Sequence, residues 1–402
     1  MVISGLAALL FRYLYQLSMG IMLTPAEYGT LFSLTSILAI VMIFSQGIQT
    51  AIAKYTSAFK AEGAEDRIKY LWSLSLKWGI LTGCALFLLF AIFSPQLSNF
   101  LNIDTNWYLI ALLSASIFVF ALPVNRGIIQ GYQRFLFLGS TNALLHLLTL
   151  VLAVIMVYVG LGVGGGLVPF VVAYAILFIV TLAALRPLRW IHSNKTEISG
   201  LFSYTGLTLL AVLFFAVATN VDIILIKHYF SPEAAGTYSA ISVLGKICLY
   251  APMGIAIAML PKSAALYETG AITNRILIKA IAYTSILAGV IIILYLIFPE
   301  SIINFIFGDK YPEAEPHLYK YGLAMAFFAM AFLLMNYLLS INCIRVWLAF
   351  FVTMILQIVL IVFFHSGISQ VMLVMLISGM CAIFFVLPYF RKVPKSKSST
   401  AN

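Results

Sequence analysis

Twelve apolar windows of about 20 residues follow one another along the chain and limit what it can fold into. A helix rises about 1.5 Å per residue, so each window is long enough to cross a hydrocarbon core about 30 Å thick. We therefore predict an all-α polytopic membrane protein with about 12 transmembrane helices. The windows lie approximately at 2–23, 30–53, 72–94, 106–129, 137–159, 166–186, 202–228, 236–260, 277–298, 318–340, 345–364 and 368–389.

Composition excludes a soluble protein, because only 9% of the 402 residues are charged and 63% are hydrophobic. Soluble domains average about 25% charged residues. The net charge of +10 does not indicate nucleic-acid binding, since the basic residues fall in short loops and form no basic face. The four cysteines are isolated in apolar segments, so neither a disulfide framework nor a metal site is predicted.

The loops between the windows differ in basic content and so predict an orientation. With both termini in the cytoplasm, most of the 23 Lys and Arg residues lie on the cytoplasmic side, as the positive-inside rule requires. The first window is interpreted as a retained helix and not as a signal peptide. The basic tail 391–402 is expected to be disordered and to be attracted to anionic membrane lipids.

The second half of the chain repeats the first. TPAEYGT at 24–30 matches SPEAAGT at 231–237, and both the Pro and the Gly of the two segments are 207 positions apart. Six helices per copy bring the second copy into the membrane in the same direction, which is typical of parallel repeats with a binding site between them. We predict an N-terminal six-helix bundle at 1–190 and a C-terminal six-helix bundle at 200–390.

Arg12, Asp222 and Lys246 are charged side chains inside predicted spans and are candidates for function, because such residues normally face a partner or a water-filled cavity. Asp222 and Lys246 flank one predicted hairpin and either pair to hold it together or act in transport. Arg12 lies in the first span, with Tyr15 and Gln16 beside it, and either binds substrate or makes a structural bond. An excess of positive charge favours a phosphate-bearing anionic substrate.

Several neutral polar residues also lie within spans, and each has two interpretations. Gln46, Gln49, Asn125 and Asn336 either line the cavity or tie helices together by hydrogen bonds. Thr219 and Asn220 precede Asp222 and are assigned with it to ion coupling or to a charge pair. His146 either titrates near neutral pH or is a satisfied buried histidine.

Two long segments carry a resemblance to a known family. RYLYQLSMGIMLTPAEYGTLFSLTSIL at 12–38 and DIILIKHYFSPEAAGTYSAISVLGKICLYAPMGIAIAMLPK at 222–262 resemble the polysaccharide-export branch of the multidrug, oligosaccharidyl-lipid and polysaccharide exporter superfamily. The resemblance implies two six-helix bundles around a cavity that opens alternately to either side. It also implies outward movement of an undecaprenyl-diphosphate-linked oligosaccharide of O-antigen, capsule or exopolysaccharide, in the inner membrane of a prokaryotic cell.

The resemblance assigns roles to the charged residues. Arg12 and Lys246 match basic residues of that cavity and would hold the diphosphate, while Asp222 matches an acidic position of the seventh helix. Coupling to Na⁺ or H⁺ follows as an expectation, with no cofactor and no enzymatic chemistry. The expected partners are the lipid-linked oligosaccharide, membrane lipids and the polysaccharide polymerase machinery.

Two other functions remain open at this stage. A cation-coupled multidrug exporter of the same fold would need a cavity dominated by acidic and aromatic groups. A membrane glycosyltransferase or polymerase acting on the same lipid would need catalytic groups in an external loop, for which Glu300, Asp309 and His317 are the candidates.

Overall fold

The regular structure of this chain is helical throughout the residues described. The computed structural model describes residues 2–191, 203–269 and 274–392, so most of the predicted tail 391–402 lies outside the described residues. The α-helices are α1 Val2–Met22, α2 Pro25–Ala61, α3 Glu65–Phe100, α4 Trp107–Gly131, α5 Phe135–Tyr158, α6 Gly162–Ala184, α7 Ser203–Ala218, α8 Val221–Tyr229, α9 Pro232–Gly245, α10 Ile247–Glu268, α11 Asn274–Ile297, α12 Pro299–Phe307, α13 Glu315–Ser340, α14 Trp347–Phe363 and α15 Ile368–Val386.

The helices confirm the predicted spans. Eleven segments in the described part of the chain are long and apolar enough to cross a membrane, and each coincides with one predicted window. The remaining window, 2–23, forms α1, a helix of 21 residues that is not among the eleven. The chain is therefore a multi-pass membrane protein.

The chain divides into two compact units, Met1–Leu209 and Leu210–Asn402, with the division inside α7. In the first unit α4 packs against α2, α3 and α6, while α5 packs against α1 and α6. In the second unit α13 packs against α10, α11 and α15, while α14 packs against α8 and α15. The same pattern of neighbours occurs in both units, as a repeat requires.

The turns that first indicated the repeat have the same structure in both units. Thr24 is the N-cap of α2, and its hydroxyl accepts a hydrogen bond from the backbone N–H of Glu27 at 3.4 Å. Ser231 is the N-cap of α9 and accepts from the N–H of Ala234 at 3.2 Å. In both cases Pro follows at the first helical position, where its missing N–H costs nothing. The repeated turn sequence therefore specifies the start of a helix in each unit.

The opposite ends of the central helices are also equivalent. After α4, Gln133 has φ = 63°, and the N–H of Arg134 bonds back to the carbonyl of Ile129. After α13, Asn342 has φ = 60°, and the N–H of Cys343 bonds back to Leu338. This six-residue closure around a left-handed residue is a common way to end a helix.

Two glycines let α3 approach α4 closely. A Cβ added to Gly79 would lie 2.8 Å from the carbonyl oxygen of Phe120, and one added to Gly83 would lie 2.6 Å from the Cα of Ile117. The Ser116 hydroxyl also donates to the Gly83 carbonyl at 3.0 Å. The spacing of four residues places both glycines on one face, as in other close contacts of transmembrane helices.

The second unit departs from the prediction at two places, because two predicted spans are not continuous helices. The window 202–228 is broken at Thr219 and Asn220 into α7 and α8. The window 236–260 is interrupted at Lys246, which separates α9 from α10. Hydropathy cannot reveal such breaks, since the sequence stays apolar across them.

We expect Gly83→Ala to destabilise the protein, because the new methyl group would meet backbone atoms of α4 that cannot move aside. Overpacking of this kind costs about 1–3 kcal/mol. The thermal unfolding midpoint of the purified protein in detergent should fall by several degrees.

Gly289→Ala in α11 is the matched control, since a Cβ there has no neighbour within 4 Å. Its midpoint should stay unchanged or rise slightly, because Ala favours a helix over Gly. Equal midpoints for the two variants would contradict the close α3–α4 contact.

Candidate functional site

A polar cavity lies within the first unit and is lined by residues of α1, α2, α5 and α6. Its volume is about 60 Å³, enough for about four water molecules. Its polar lining consists of Arg12 and Gln16 from α1, Thr35 from α2, His146 and Thr149 from α5, and Tyr174 from α6. Tyr15, Met42 and Phe170 form much of the remaining wall.

Several of these lining groups already have partners in their own surroundings. The Tyr15 hydroxyl donates to the Gly166 carbonyl at 2.9 Å. The hydroxyls of Thr35 and Thr149 donate to carbonyls of their own helices. Arg12, which is exposed, has neither a hydrogen bond nor a carboxylate within 4 Å among the described residues. The Arg12 guanidinium is therefore available to a ligand.

No acidic residue lines this cavity. The five acidic residues between positions 2 and 191 lie at helix ends or in turns: Glu27, Glu62, Glu65, Asp66 and Asp104. The cavity thus combines a guanidinium, an imidazole and an amide. Groups of this kind bind phosphate or carboxylate oxygens and repel organic cations.

The second unit contains a different kind of polar site, built on the break between α7 and α8. A helix that ends inside a membrane leaves carbonyl groups that lipid cannot satisfy. Here Thr219 donates to the carbonyls of Phe215 and Ala216, and the Asn220 amide donates to Ala216 at 2.8 Å. The Gln357 amide on α14 donates to the Ala218 carbonyl at 2.8 Å.

Asp222 lies in the first turn of α8 and is completely buried. Its Oδ2 accepts hydrogen bonds from the hydroxyls of Tyr238 at 2.9 Å and Tyr321 at 2.7 Å. The Tyr321 hydroxyl also shares a hydrogen bond of 2.9 Å with Ser242. The helix dipole and two O–H donors therefore stabilise negative charge on this carboxylate.

Two oxygen atoms of this region have no hydrogen-bond partner among the described residues. They are Oδ1 of Asp222 and Oε1 of Gln357, and both are buried. A buried acceptor left unsatisfied costs about 1–3 kcal/mol. A metal cation that coordinated either oxygen would remove that cost for the oxygen concerned.

Lys246 lies at the junction of α9 and α10 and is 3% exposed. Its Nζ donates to Oδ1 of Asn220 at 3.1 Å. The structure thus brings Asn220, Asp222 and Lys246 to one region of the second unit. The charge pair of Asp222 with Lys246 stays a prediction, as does the ion-coupling role of Thr219 and Asn220.

The remaining predicted residues have the following positions. Asn125 is fully buried; it accepts from the Trp72 indole at 2.8 Å and donates to Thr181 at 3.1 Å, which ties α3, α4 and α6 together. Asn336 is 8% exposed and donates to the Phe332 carbonyl of its own helix. The side chains of these two asparagines therefore do not reach the cavity of the first unit.

The two glutamines of α2 differ from each other. Gln49 donates to Oε1 of Gln130 on α4 at 2.8 Å, whereas Gln46 is exposed. Neither lines the cavity that contains Arg12. Their predicted contact with substrate stays a prediction.

Sequence reasoning missed Tyr174, Tyr238, Tyr321 and Gln357 as members of these sites. Tyr321 is 99 residues from Asp222, so no local spacing could relate the two. Tyr238 could have been found, because it lies on the hairpin that follows Asp222, with Ser242 one turn further along α9.

The fold is similar to those of solved transporters. An inward-facing multidrug resistance MATE family transporter of the MOP superfamily has a TM-score of 0.80 at 13% identity, covering 97% of this chain and 96% of the other. The lipid II flippase MurJ in an inward closed conformation has a TM-score of 0.75 at 15% identity, covering 97% and 88%. The MATE multidrug transporter DinF-BH has a TM-score of 0.67 at 16% identity, covering 97% and 94%.

At identities this low, the structural likeness establishes the fold alone. No curated protein matches the chain in sequence. A family described as "Polysaccharide biosynthesis protein" matches residues 19–316, a range that contains His146, Asp222 and Lys246 and begins after Arg12. The chain belongs to this family of polysaccharide biosynthesis proteins.

Proposed function

We propose that this protein is a flippase that moves an undecaprenyl-diphosphate-linked oligosaccharide outward across the inner membrane of a prokaryotic cell. The observation that carries the proposal is the cavity of the first unit, which offers Arg12 and His146 but no carboxylate. Membership of a polysaccharide biosynthesis family and the fold shared with a lipid II flippase support the choice of substrate. The transported repeat unit would serve O-antigen, capsule or exopolysaccharide synthesis.

Arg12 and Lys246 each contact the diphosphate during transport. Arg12 can present two parallel N–H donors to phosphate oxygens, while Lys246 acts as a point charge. In this structure Lys246 donates to Asn220, and it exchanges that bond for a phosphate oxygen when substrate binds. The glycan follows the diphosphate across the membrane, and the polyprenyl chain stays in the lipid.

A cation acting at Asp222 couples transport to an ion gradient. The unsatisfied Oδ1 of Asp222 and Oε1 of Gln357 support this step, because Na⁺ coordinates such oxygens and a proton would turn the carboxylate into a donor. The break between α7 and α8 supports it as well, since broken helices at membrane depth commonly surround coupling ions. Alternation follows if the two conformations bind lipid and ion with different affinity.

Both termini lie in the cytoplasm in this proposal, and the protein hands its cargo to polysaccharide polymerase machinery on the other side. The long helices α2 and α3 support this orientation. Each spans about 55 Å, well beyond the hydrocarbon core. Their connecting end carries Lys60, Arg67 and Lys69, as expected for a cytoplasmic loop.

A multidrug exporter is the second candidate, favoured by the likeness to MATE transporters. The acid-free cavity of the first unit argues against it, because an organic cation would meet Arg12. Reconstituted protein that transports a cationic dye but not a lipid-linked oligosaccharide would establish this second function and exclude the flippase.

We expect Arg12→Gln and Lys246→Gln each to weaken flipping of a lipid-linked oligosaccharide. A hydrogen bond to a charged group contributes about 1.5–3 kcal/mol, which corresponds to a loss of roughly 10- to 100-fold. Flipping is measured with reconstituted protein and a fluorescent lipid-linked oligosaccharide, and export is measured in cells at equal protein abundance.

Arg67→Gln is the control for this experiment. It removes an exposed arginine whose salt bridge with Glu62, at 3.0 Å, is surface exposed and should contribute little. Full export by both cavity variants at normal abundance would overturn the diphosphate role.

We expect Asp222→Asn to abolish the response of flipping to an imposed Na⁺ or H⁺ gradient. An asparagine oxygen can still accept from Tyr238 and Tyr321, so folding should be preserved, whereas the ionisable group is lost. If a coupling free energy of about 1–3 kcal/mol lowers the barrier to flipping by the same amount, the gradient changes the wild-type rate roughly 5- to 150-fold.

Glu233→Gln is the matched control, because Glu233 is an exposed acid in the first turn of α9. This variant should keep the full response to the gradient. A folded Asp222→Asn protein that responds to the gradient like the wild type would exclude Asp222 as the coupling residue.

A further inference from the structure

A second arginine of the first unit, Arg126, has no role in the function proposed above. It lies on α4, and its Nη2 donates to Oδ1 of Asn142 on α5 at 3.0 Å. Its Nε is buried and has no hydrogen-bond partner among the described residues. No carboxylate of the described chain lies within 4 Å of its guanidinium.

Arg126 lies close to the cavity that contains Arg12. Its hydrogen-bond partner Asn142 lies one turn before His146 on the same face of α5, and His146 lines the cavity. Arg12 lines the same cavity. Asn142 and His146 therefore connect the Arg126 guanidinium to the wall of that cavity.

Arg126, His146 and Arg12 lie at different distances from the ends of their helices. Arg126 lies five residues before the end of α4, about 8 Å from that end, and His146 lies eleven residues into α5, about 16 Å from the same side. Arg12 lies ten residues before the opposite end of α1, about 15 Å deep. In a core about 30 Å thick, Arg12 and His146 are near the midplane and Arg126 is nearer the α4–α5 turn.

Two cations with no carboxylate beside them are costly at this depth. Intramembrane charges normally pair with each other or with other polar groups. Within the described residues, the hydrogen bond of Arg126 goes to a neutral amide, so its charge is not balanced. An anion in the cavity would balance it and would accept from donors that have no acceptor now.

We propose that Arg126 is a further anion-recognition residue: with Arg12 and His146 it holds one phosphate group in the cavity of the first unit. The inference rests on the proposed function and extends it, since it assigns a single phosphate to this unit. The lining of the cavity offers hydrogen-bond donors and no carboxylate, which suits phosphate oxygens.

Binding to the full-length protein in lipid nanodiscs tests this assignment. The two probes are inorganic pyrophosphate and undecaprenyl diphosphate, and the dissociation constant of each is measured for wild type, Arg126→Gln, Arg126→Lys, Arg12→Gln and Arg67→Gln. We expect Arg126→Gln to weaken binding roughly 10- to 100-fold, as for other hydrogen bonds to charged groups. Arg126→Lys keeps the charge without the planar set of donors, so it should weaken binding by less, roughly 3- to 10-fold.

The two probes distinguish the source of the phosphate. If only undecaprenyl diphosphate binds, the site recognises a lipid head group. If both probes bind, the site accepts any phosphate. In either case the Arg126 variants must bind the probe with lower affinity than the wild type does. Arg67→Gln should bind as the wild type does. Thermal unfolding without ligand shows which variants are folded, and Arg126→Lys decides the test if Arg126→Gln does not fold.

The possible failures are separable. If folded Arg126→Gln binds the probes with wild-type affinity, Arg126 does not have the proposed role. If Arg126→Gln does not fold, wild-type affinity in Arg126→Lys leads to the same conclusion. If Arg12→Gln still weakened binding in that case, the proposed function would stand. Wild-type affinity in both the Arg12 and Arg126 variants would overturn both proposals.

Discussion

The hydrocarbon core supplies no hydrogen-bond partners, and the structure of this chain depends on that constraint. It makes every span a helix, and it requires protein groups to satisfy the backbone wherever a helix stops. At the α7–α8 break, backbone carbonyls of α7 accept hydrogen bonds from the side chains of Thr219, Asn220 and Gln357. The same constraint turns Tyr238 of α9 and Tyr321 of α13 inward, where their hydroxyls donate to Asp222.

The two units share a plan but use their interiors differently. In each, one central helix, α4 or α13, is packed on several sides by its neighbours. The first unit has a cavity with basic and neutral polar groups, and its described acidic residues lie at helix ends or in turns. The second unit buries a carboxylate with two tyrosines and a lysine nearby. The two units thus carry different polar groups on the same pattern of helix packing.

Polar residues inside the spans divide into those that hold the fold and those left for a ligand. Asn125 has both its amide oxygen and its amide nitrogen satisfied by Trp72 and Thr181, so it contributes a structural link. Arg12 and Arg126 are not satisfied in this way. The two kinds of side chain differ in what they need. Neighbouring side chains can satisfy an amide fully, whereas a guanidinium has five N–H donors and a charge to balance.

The sequence by itself determined the spans, the repeat and the residues with intramembrane charge. Each of these depends on neighbours in the chain: twenty apolar residues in a row, the Thr24 and Ser231 caps, or an ionisable group such as Asp222 within an apolar run. Only the tertiary structure decided which residues meet. Asp222 accepts a hydrogen bond from Tyr321, which is 99 residues away in the sequence. Arg12 lines one cavity together with His146 and Tyr174, which belong to two other helices. Side chains of different helices come together through packing, and the apolar windows carry almost no information about which helix faces which.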